Sequence, residues 1–224
     1  MRSALFETDR QERQTTDRWV LQSKRMLRAS LGPDVLATKG AMVAYQGQIE
    51  FHHQSAGGLG KLVRKALSSE DNPTMRVSGQ GEVFFAHAAS EVFLIALEGD
   101  GISINGPSLL AYDATLESDV HRTQGAGMFM GGGMFNVLVQ GTGTVALATE
   151  GEPMLLDCSQ QPTFVDPQAA VCWSANLTPN AVSSMNVGSL LRGGSGEAMQ
   201  YSFHGPGFVV VQPSEGPTVP PHTH

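Results

Sequence analysis

Apolar and polar positions alternate along most of this chain, most clearly from Gly133 to Ala148, GMFNVLVQGTGTVALA. Phe135, Val137 and Val139 alternate with Asn136, Leu138 and Gln140; Val145 and Leu147 then alternate with Ala146 and Ala148. A period of two marks strands with one buried face. The stretch therefore predicts two strands joined through a Gly-x-Gly turn, with Gly141 and Gly143 supplying backbone freedom that a Cβ removes. The unit recurs. Thr74 to Ser78 leads through Gly79-Gln80-Gly81 into Val83 to Ala86, and Gln200 to His204 leads through Gly205-Pro206-Gly207 into Val209 to Val211. The glycine pairs stand about 62 and 64 residues apart, a spacing that predicts a repeat architecture.

A second motif keeps the same order. Met42 to Glu50 (MVAYQGQIE), Leu109 to Glu117 (LLAYDATLE) and Ala170 to Thr178 (AVCWSANLT) share one frame: apolar, small, aromatic, three mostly polar or small residues, then aliphatic. Ala44, Ala111 and Cys172 hold the small position, and Tyr45, Tyr112 and Trp173 the aromatic one. Two motifs in one order predict three repeats, at residues 18–88, 89–150 and 151–212, after a polar lead-in over 1–17. Each repeat reads as about five short strands bounded by Gly, Pro, Asn and Asp. Trp19 to Leu31 reads as one long strand or two short ones, and Glu98-Gly99-Asp100-Gly101 as a turn. The connection Gly57 to Ser69 has apolar residues at helical spacing. Residues 213–224, PSEGPTVPPHTH, form a Pro-rich tail with no means of packing.

Composition narrows the function classes. With 26 glycines in 224 residues, many turns are expected. A formal net charge of −7 argues against a nucleic-acid or anionic-membrane surface. Two cysteines are too few for a disulfide framework. The first residues lack the apolar core of a signal peptide and no apolar run reaches membrane-spanning length, so a soluble, cytoplasmic protein is expected.

Three stretches, GGGMFNVLVQGTGTVALA, KGAMVAYQGQIEF and GPGFVVVQP, resemble the altered-inheritance-of-mitochondria protein 24 family over most of residues 18–212. The resemblance implies an all-β fold of tandem modules, similar to the tryptophan-RNA-binding attenuation protein, and assembly into a trimer. Eukaryotic relatives are associated with the mitochondrial inner membrane and its contact-site complex; no transit peptide is expected here, so that setting is not expected to carry over directly. The family supplies no catalytic residue set to carry over.

Candidate chemistry is sparse. His52 and His53 are adjacent on a predicted strand and point to opposite faces, so they cannot both ligate one metal without a bend. His121 stands at nearly the same place in the second repeat, and the third repeat has no counterpart. The His222-Thr223-His224 pair lies in the tail. No Gly-x-Ser-x-Gly elbow occurs, and Ser195 sits in a glycine-rich loop. Cys158 and Cys172 fall on predicted strands at core-like positions, where structural burial is expected. The Gly125 to Gly133 loop lacks the Lys-Ser/Thr of a phosphate loop. Apolar residues in glycine-rich connections are the unusual feature: Met128, Phe129, Met130 and Met134, then Leu190 and Leu191. They either cap the core or form a surface for subunits, a partner or a lipid.

The chain is thus expected to be all-β, three modules about a pseudo-threefold axis, with an attenuation-protein-like or double-stranded β-helix-like sandwich. The expected role is a non-enzymatic scaffold or interaction protein near membranes or an envelope complex, without catalytic residues, cofactor, metal or nucleic-acid partner. It is expected to be a homo-oligomer, with a trimer favoured, and to take a protein or lipid partner. A small-molecule or lipid-binding module with a pocket between repeats, and a cupin-like metal-dependent enzyme, are the alternatives.

Overall fold

The computed structural model describes residues 2–53, 74–122, 135–183 and 199–215. Among them, fifteen strands and a few short 3-10 turns occur: β1 (Trp19–Ser23), β2 (Met26–Leu31), β3 (Val35–Thr38), β4 (Met42–His53), β5 (Thr74–Phe85), β6 (Glu91–Asn105), β7 (Leu109–Asp113), β8 (Glu117–Arg122), β9 (Phe135–Thr149), β10 (Met154–Asp157), β11 (Thr163–Val165), β12 (Ala170–Ser174), β13 (Asn180–Ser183), β14 (Met199–Phe203) and β15 (Phe208–Val211). The fold is all-β and every pairing is antiparallel. Twelve strands form one sheet, and β11, β14 and β13 form a second. Trp19 to Leu31 resolves into two short strands, β1 and β2, paired with each other.

The glycine pairs do something other than the expected turn. β5 and β9 pass through Gly79/Gly81 and Gly141/Gly143 without reversing, because a partner strand follows each across the glycines. All six glycines of the motif, including Gly205 and Gly207, have positive φ, from 120° to 159°. They bend the strand and let the next backbone come close. A Cβ at Gly79 or Gly81 would overlap the carbonyl oxygens of Gln48 and Gln46. In the third occurrence the bend separates β14 from β15 and carries the chain from the small sheet into the large one. Likewise, the expected turn at Glu98 to Gly101 is a bulge within the continuous β6, with Gly99 at φ 98°.

Side chains hold the bend at two of the three places. The Thr144 N–H donates to the Asp113 carboxylate (2.7 Å), and the Phe208 N–H to the Ser174 hydroxyl (3.0 Å). Asp113 and Ser174 each follow the motif's aromatic residue, and a Cβ on Gly143 or Gly207 would meet the same oxygens at 3.2 and 2.8 Å.

One pairing pattern occurs three times. Met42 faces Phe85, Ala44 faces Phe84 and Tyr45 faces Val83, with Val43 as the extra bulge residue. Leu109, Ala111 and Tyr112 face Leu147, Ala146 and Val145 around the bulge at Leu110. Ala170, Cys172 and Trp173 face Val211, Val210 and Val209 around Val171. On the opposite edge of each bent strand lie two further segments: β2 and β3 on β5, the two halves of β6 on β9, and β10 on β15 with β11 on β14.

Two joins connect the resulting units, β1–β5, β6–β9 and β10–β15. β3 lays Val35, Leu36 and Ala37 against Asp113, Tyr112 and Ala111 of β7. β6 lays Ile102, Ser103 and Ile104 against Ser174, Trp173 and Cys172 of β12. A side chain at the end of the donating strand secures each join. The Thr38 hydroxyl donates to the Leu109 carbonyl (2.5 Å), and Asn105 Nδ2 donates to the Ala170 carbonyl (2.9 Å). Among the described residues β11 pairs only with β14 and β4 only with β5, so these joins do not close a ring.

The core follows the joins. The first buried cluster combines Val35, Val77, Val83 and Phe85 with Leu110 and Ala111 from the second unit. The second combines Ile104, Val139, Val145 and Leu147 with Val171 and Cys172 from the third. The third, around Trp173, Tyr201, Phe203 and Val209, draws on its own unit alone.

If the glycine bend fixes this geometry, Gly81→Ala will destabilise the protein by about 3 kcal/mol or more, because positive φ and backbone overlap add. Gly40→Ala, at φ 84° in open space, will cost about 1 kcal/mol. Urea denaturation of the two variants checks the difference.

Candidate functional site

The residues at the bulge and aromatic positions are buried in two units and exposed in the first. Leu110 and Val171 are 0% exposed, and Tyr112 and Trp173 are 1% and 2% exposed. Val43 and Tyr45, at the same positions of the same pairing, are 51% and 49% exposed. Ala44 is exposed, while Ala111 and Cys172 are fully buried. The difference follows from the joins, since β3 covers β7 and β6 covers β12, whereas no described strand covers this edge of β4. At the other end of the array, Phe164 of β11 is 57% exposed, and Met154 and Leu155 of the edge strand β10 are also exposed. An apolar strand edge of this kind is a template for further pairing.

Beyond Tyr45 the strand turns polar, with Gln46, Gln48, Glu50 and His52 exposed. Gln46 donates from its side-chain amide to the Glu12 carboxylate, which ties the lead-in to the end of the exposed run. The lead-in is held a second time by Arg28, a buried guanidinium that donates to the backbone carbonyls of Arg13 (2.7 Å) and Thr15 (3.3 Å) and pairs with Glu82 (3.4 Å). At the opening of β1, Arg18 and the Trp19 indole both reach Asp113, at 3.0 and 3.1 Å. Periodicity could not reveal these anchors, because their partners lie far away in the chain.

The expected chemistry-bearing residues do not converge. His52 and His121 are exposed on β4 and β8, each beside a local carboxylate, Glu50 at 3.1 Å and Asp119 at 3.6 Å. Among the described residues no three His, Cys, Asp or Glu side chains could hold a metal ion. Cys172 lies in β12 as expected and is fully buried, and burial pushes its thiol up to about 12. Cys158 is also buried, but stands one residue beyond the end of β10. Met128, Phe129, Met130, Met134, Leu190 and Leu191 lie outside the described residues, as do Ser195, the Gly57 to Ser69 connection and the terminal histidines.

The surface of the described residues includes two hollows. One, of ≈ 640 Å³, is lined by Gln48 to Glu50 and Ser78 to Gln80 at the first glycine bend. The other, of ≈ 360 Å³, lies where β6, β12 and β15 meet, with Ile95, Leu97, Ile102 and Phe208 around Asp100, Ser174 and Asn176. Both open to solvent. No helix of the described residues is long and apolar enough to cross a membrane.

Bent antiparallel strands joined edge to edge define an all-β protein with exposed apolar side chains on strands β4, β8, β10 and β11 and at Leu5 and Phe6 of the lead-in. The chain belongs to the Mitochondrial biogenesis AIM24 family, which matches residues 19–214. It is similar in fold to the crystal structure of protein SPYM3_0169 from Streptococcus pyogenes. The TM-score is 0.69 at 20% identity, over 88% of this chain and 92% of that one. No curated protein sequence matches it.

Burial of both thiols makes a direct prediction. A disulfide reagent at pH 8 will label neither cysteine in the folded protein and both after denaturation, since the thiolate is the nucleophile. Cys172 has the further consequence that stability falls as pH rises from about 9 towards about 12. In that window the unfolded thiol has lost the proton that the folded one keeps. Cys172→Ala, the residue at the same position in the other units, will reduce that slope in a pH series of denaturation midpoints, leaving the part due to Tyr112, whose phenol burial also pushes up.

Proposed function

We propose that this AIM24-family protein is a non-enzymatic scaffold or interaction protein, built of three related modules and self-associating through strand edges. The observation that carries the reading is the exposure of Val43, Ala44 and Tyr45 at positions whose counterparts are buried in the other two units. An apolar strand left open at the surface invites a protein partner more readily than a small molecule, because its unpaired backbone groups need another strand. Support for related modules comes from the threefold recurrence of pairing, bulge and glycine bend, and from two joins with one register. A pseudo-threefold axis would require a third join of the same kind to close the array.

A ligand-binding role is the second reading, favoured by the hollow between β6, β12 and β15, where apolar walls surround Asp100, Ser174 and Asn176.

Native mass spectrometry of protein purified without a metal-affinity tag decides between them. The scaffold reading predicts an oligomer whose mass is an integral multiple of the bare chain. A stoichiometric small molecule, lipid or metal in every copy would overturn it and direct attention to that hollow or to His52, His53 and His121.

A further inference from the structure

The chain closes two strand edges of one type by itself, and leaves one edge of each half-join open. Thr163 faces Phe203 as Val35 faces Val77 and as Ile102 faces Val139. β11 is therefore the third unit's counterpart of the strand that makes each existing join. β4 is the first unit's counterpart of the strand that receives it. Within one copy the two do not pair among the described residues.

We infer that β11 of one copy pairs antiparallel with β4 of a second copy, Thr163 opposite Gln46, Phe164 opposite Tyr45 and Val165 opposite Ala44, joining chains head to tail. This names the partner of the interaction surface proposed above and rests on that reading. Register alone sets these partners, since the two internal joins share it. Burial agrees at both ends. Phe164 is 57% exposed and Tyr45 49%, whereas Leu36 and Tyr112, the pair they match, are 4% and 1% exposed.

Core composition makes the same point independently. Each of the first two buried clusters includes a bulge residue and its neighbour from the following unit, Leu110 with Ala111 (beside Val92, Ala146 and Ala148) and Val171 with Cys172. The third cluster receives nothing from another unit. Val43 and Ala44 of a second copy are the residues that would complete it. The contact is heterologous, so it closes into a ring if the rotation per join allows and otherwise grows as a filament.

One position departs from the pattern. Asp166 stands where Thr38 and Asn105 donate to the carbonyl of the receiving strand, and its carboxylate accepts the Gln168 N–H at 2.7 Å. A carboxylate cannot donate to the Met42 carbonyl, so the join between copies lacks one hydrogen bond that the internal joins have.

Sedimentation velocity on the full chain tests the inference with three variants. The unaltered protein is expected to self-associate with concentration. Tyr45→Lys and Phe164→Lys change exposed residues at opposite ends, and each is expected to sediment as a monomer with an unchanged β-sheet circular dichroism spectrum. Burying an unpaired ammonium at the join weakens it on the order of 100-fold. An equimolar mixture of the two has one intact end per variant, so it is expected to form one-to-one dimers and nothing larger. Asp166→Asn supplies the missing donor and is expected to tighten association by about 5- to 10-fold.

A monomeric unaltered protein throughout the micromolar range would overturn the inference. So would lysine variants that keep the parental oligomer, an outcome that leaves the scaffold reading standing through another surface. If a lysine variant unfolds, Asp166→Asn decides: tightening supports the join, and unchanged association refutes it.

Discussion

The structure depends on strands that belong by chain connection to one unit and by burial to another. Leu110 and Ala111 sit on β7, yet they complete the cluster around Val35, Val83 and Phe85. Val171 and Cys172 on β12 do the same for the cluster around Ile104, Val139 and Val145. Burial of apolar surface is the dominant favourable term in folding. A unit of a few strands has little of it, so sharing core residues across a join stabilises both neighbours at once. The arrangement has a necessary consequence: the first unit has a lending strand with no borrower, and the last has a cluster with no lender. The exposed Val43, Ala44 and Tyr45 at one end and Phe164 at the other are that consequence in residues.

The glycine bend makes the sharing geometrically possible. A straight strand would present one edge in one direction. β5 and β9, bent at Gly79/Gly81 and Gly141/Gly143, carry different partners on their two halves, β2 and β3 on one and the two parts of β6 on the other. Asp113 and Ser174 bind the backbone just past two of these bends. Asp113 also holds Arg18 and the Trp19 indole, so one carboxylate couples the bend in β9 to the entry of β1. Replacing it would loosen both.

The glycine motif was legible as a period-two pattern and the second motif as a recurring frame that places Tyr45, Tyr112 and Trp173 at one position, as the pairing registers do. What the glycine pairs do was not legible. Alternation flanking Gly-x-Gly describes a hairpin and a bent strand equally well, and the difference lies in whether a partner strand continues across it, as β4 does from Met42 to His53. The same holds for Glu98 to Gly101, a bulge in β6. Exposure was hidden for a related reason. Val43-Ala44-Tyr45 and Leu110-Ala111-Tyr112 are nearly the same sequence, and only a strand from a neighbouring unit distinguishes them. The apolar residues singled out in the glycine-rich connections, Met128 to Met130, Met134, Leu190 and Leu191, fall outside the described residues, and the edge residues went unnoticed because they resemble core.

Amide hydrogen exchange at increasing protein concentration tests the central claim, that the join inside the chain repeats between chains. Residues 109–113 and 170–174, already covered, are expected to be protected at every concentration. Residues 42–46 and 163–165 are expected to exchange quickly in the monomer and to gain protection together as the chains associate. Protection of both segments in the monomer would mean that a single chain closes its own ring. Association with residues 42–46 still exchanging freely would mean that the copies meet elsewhere. Either result would contradict the account.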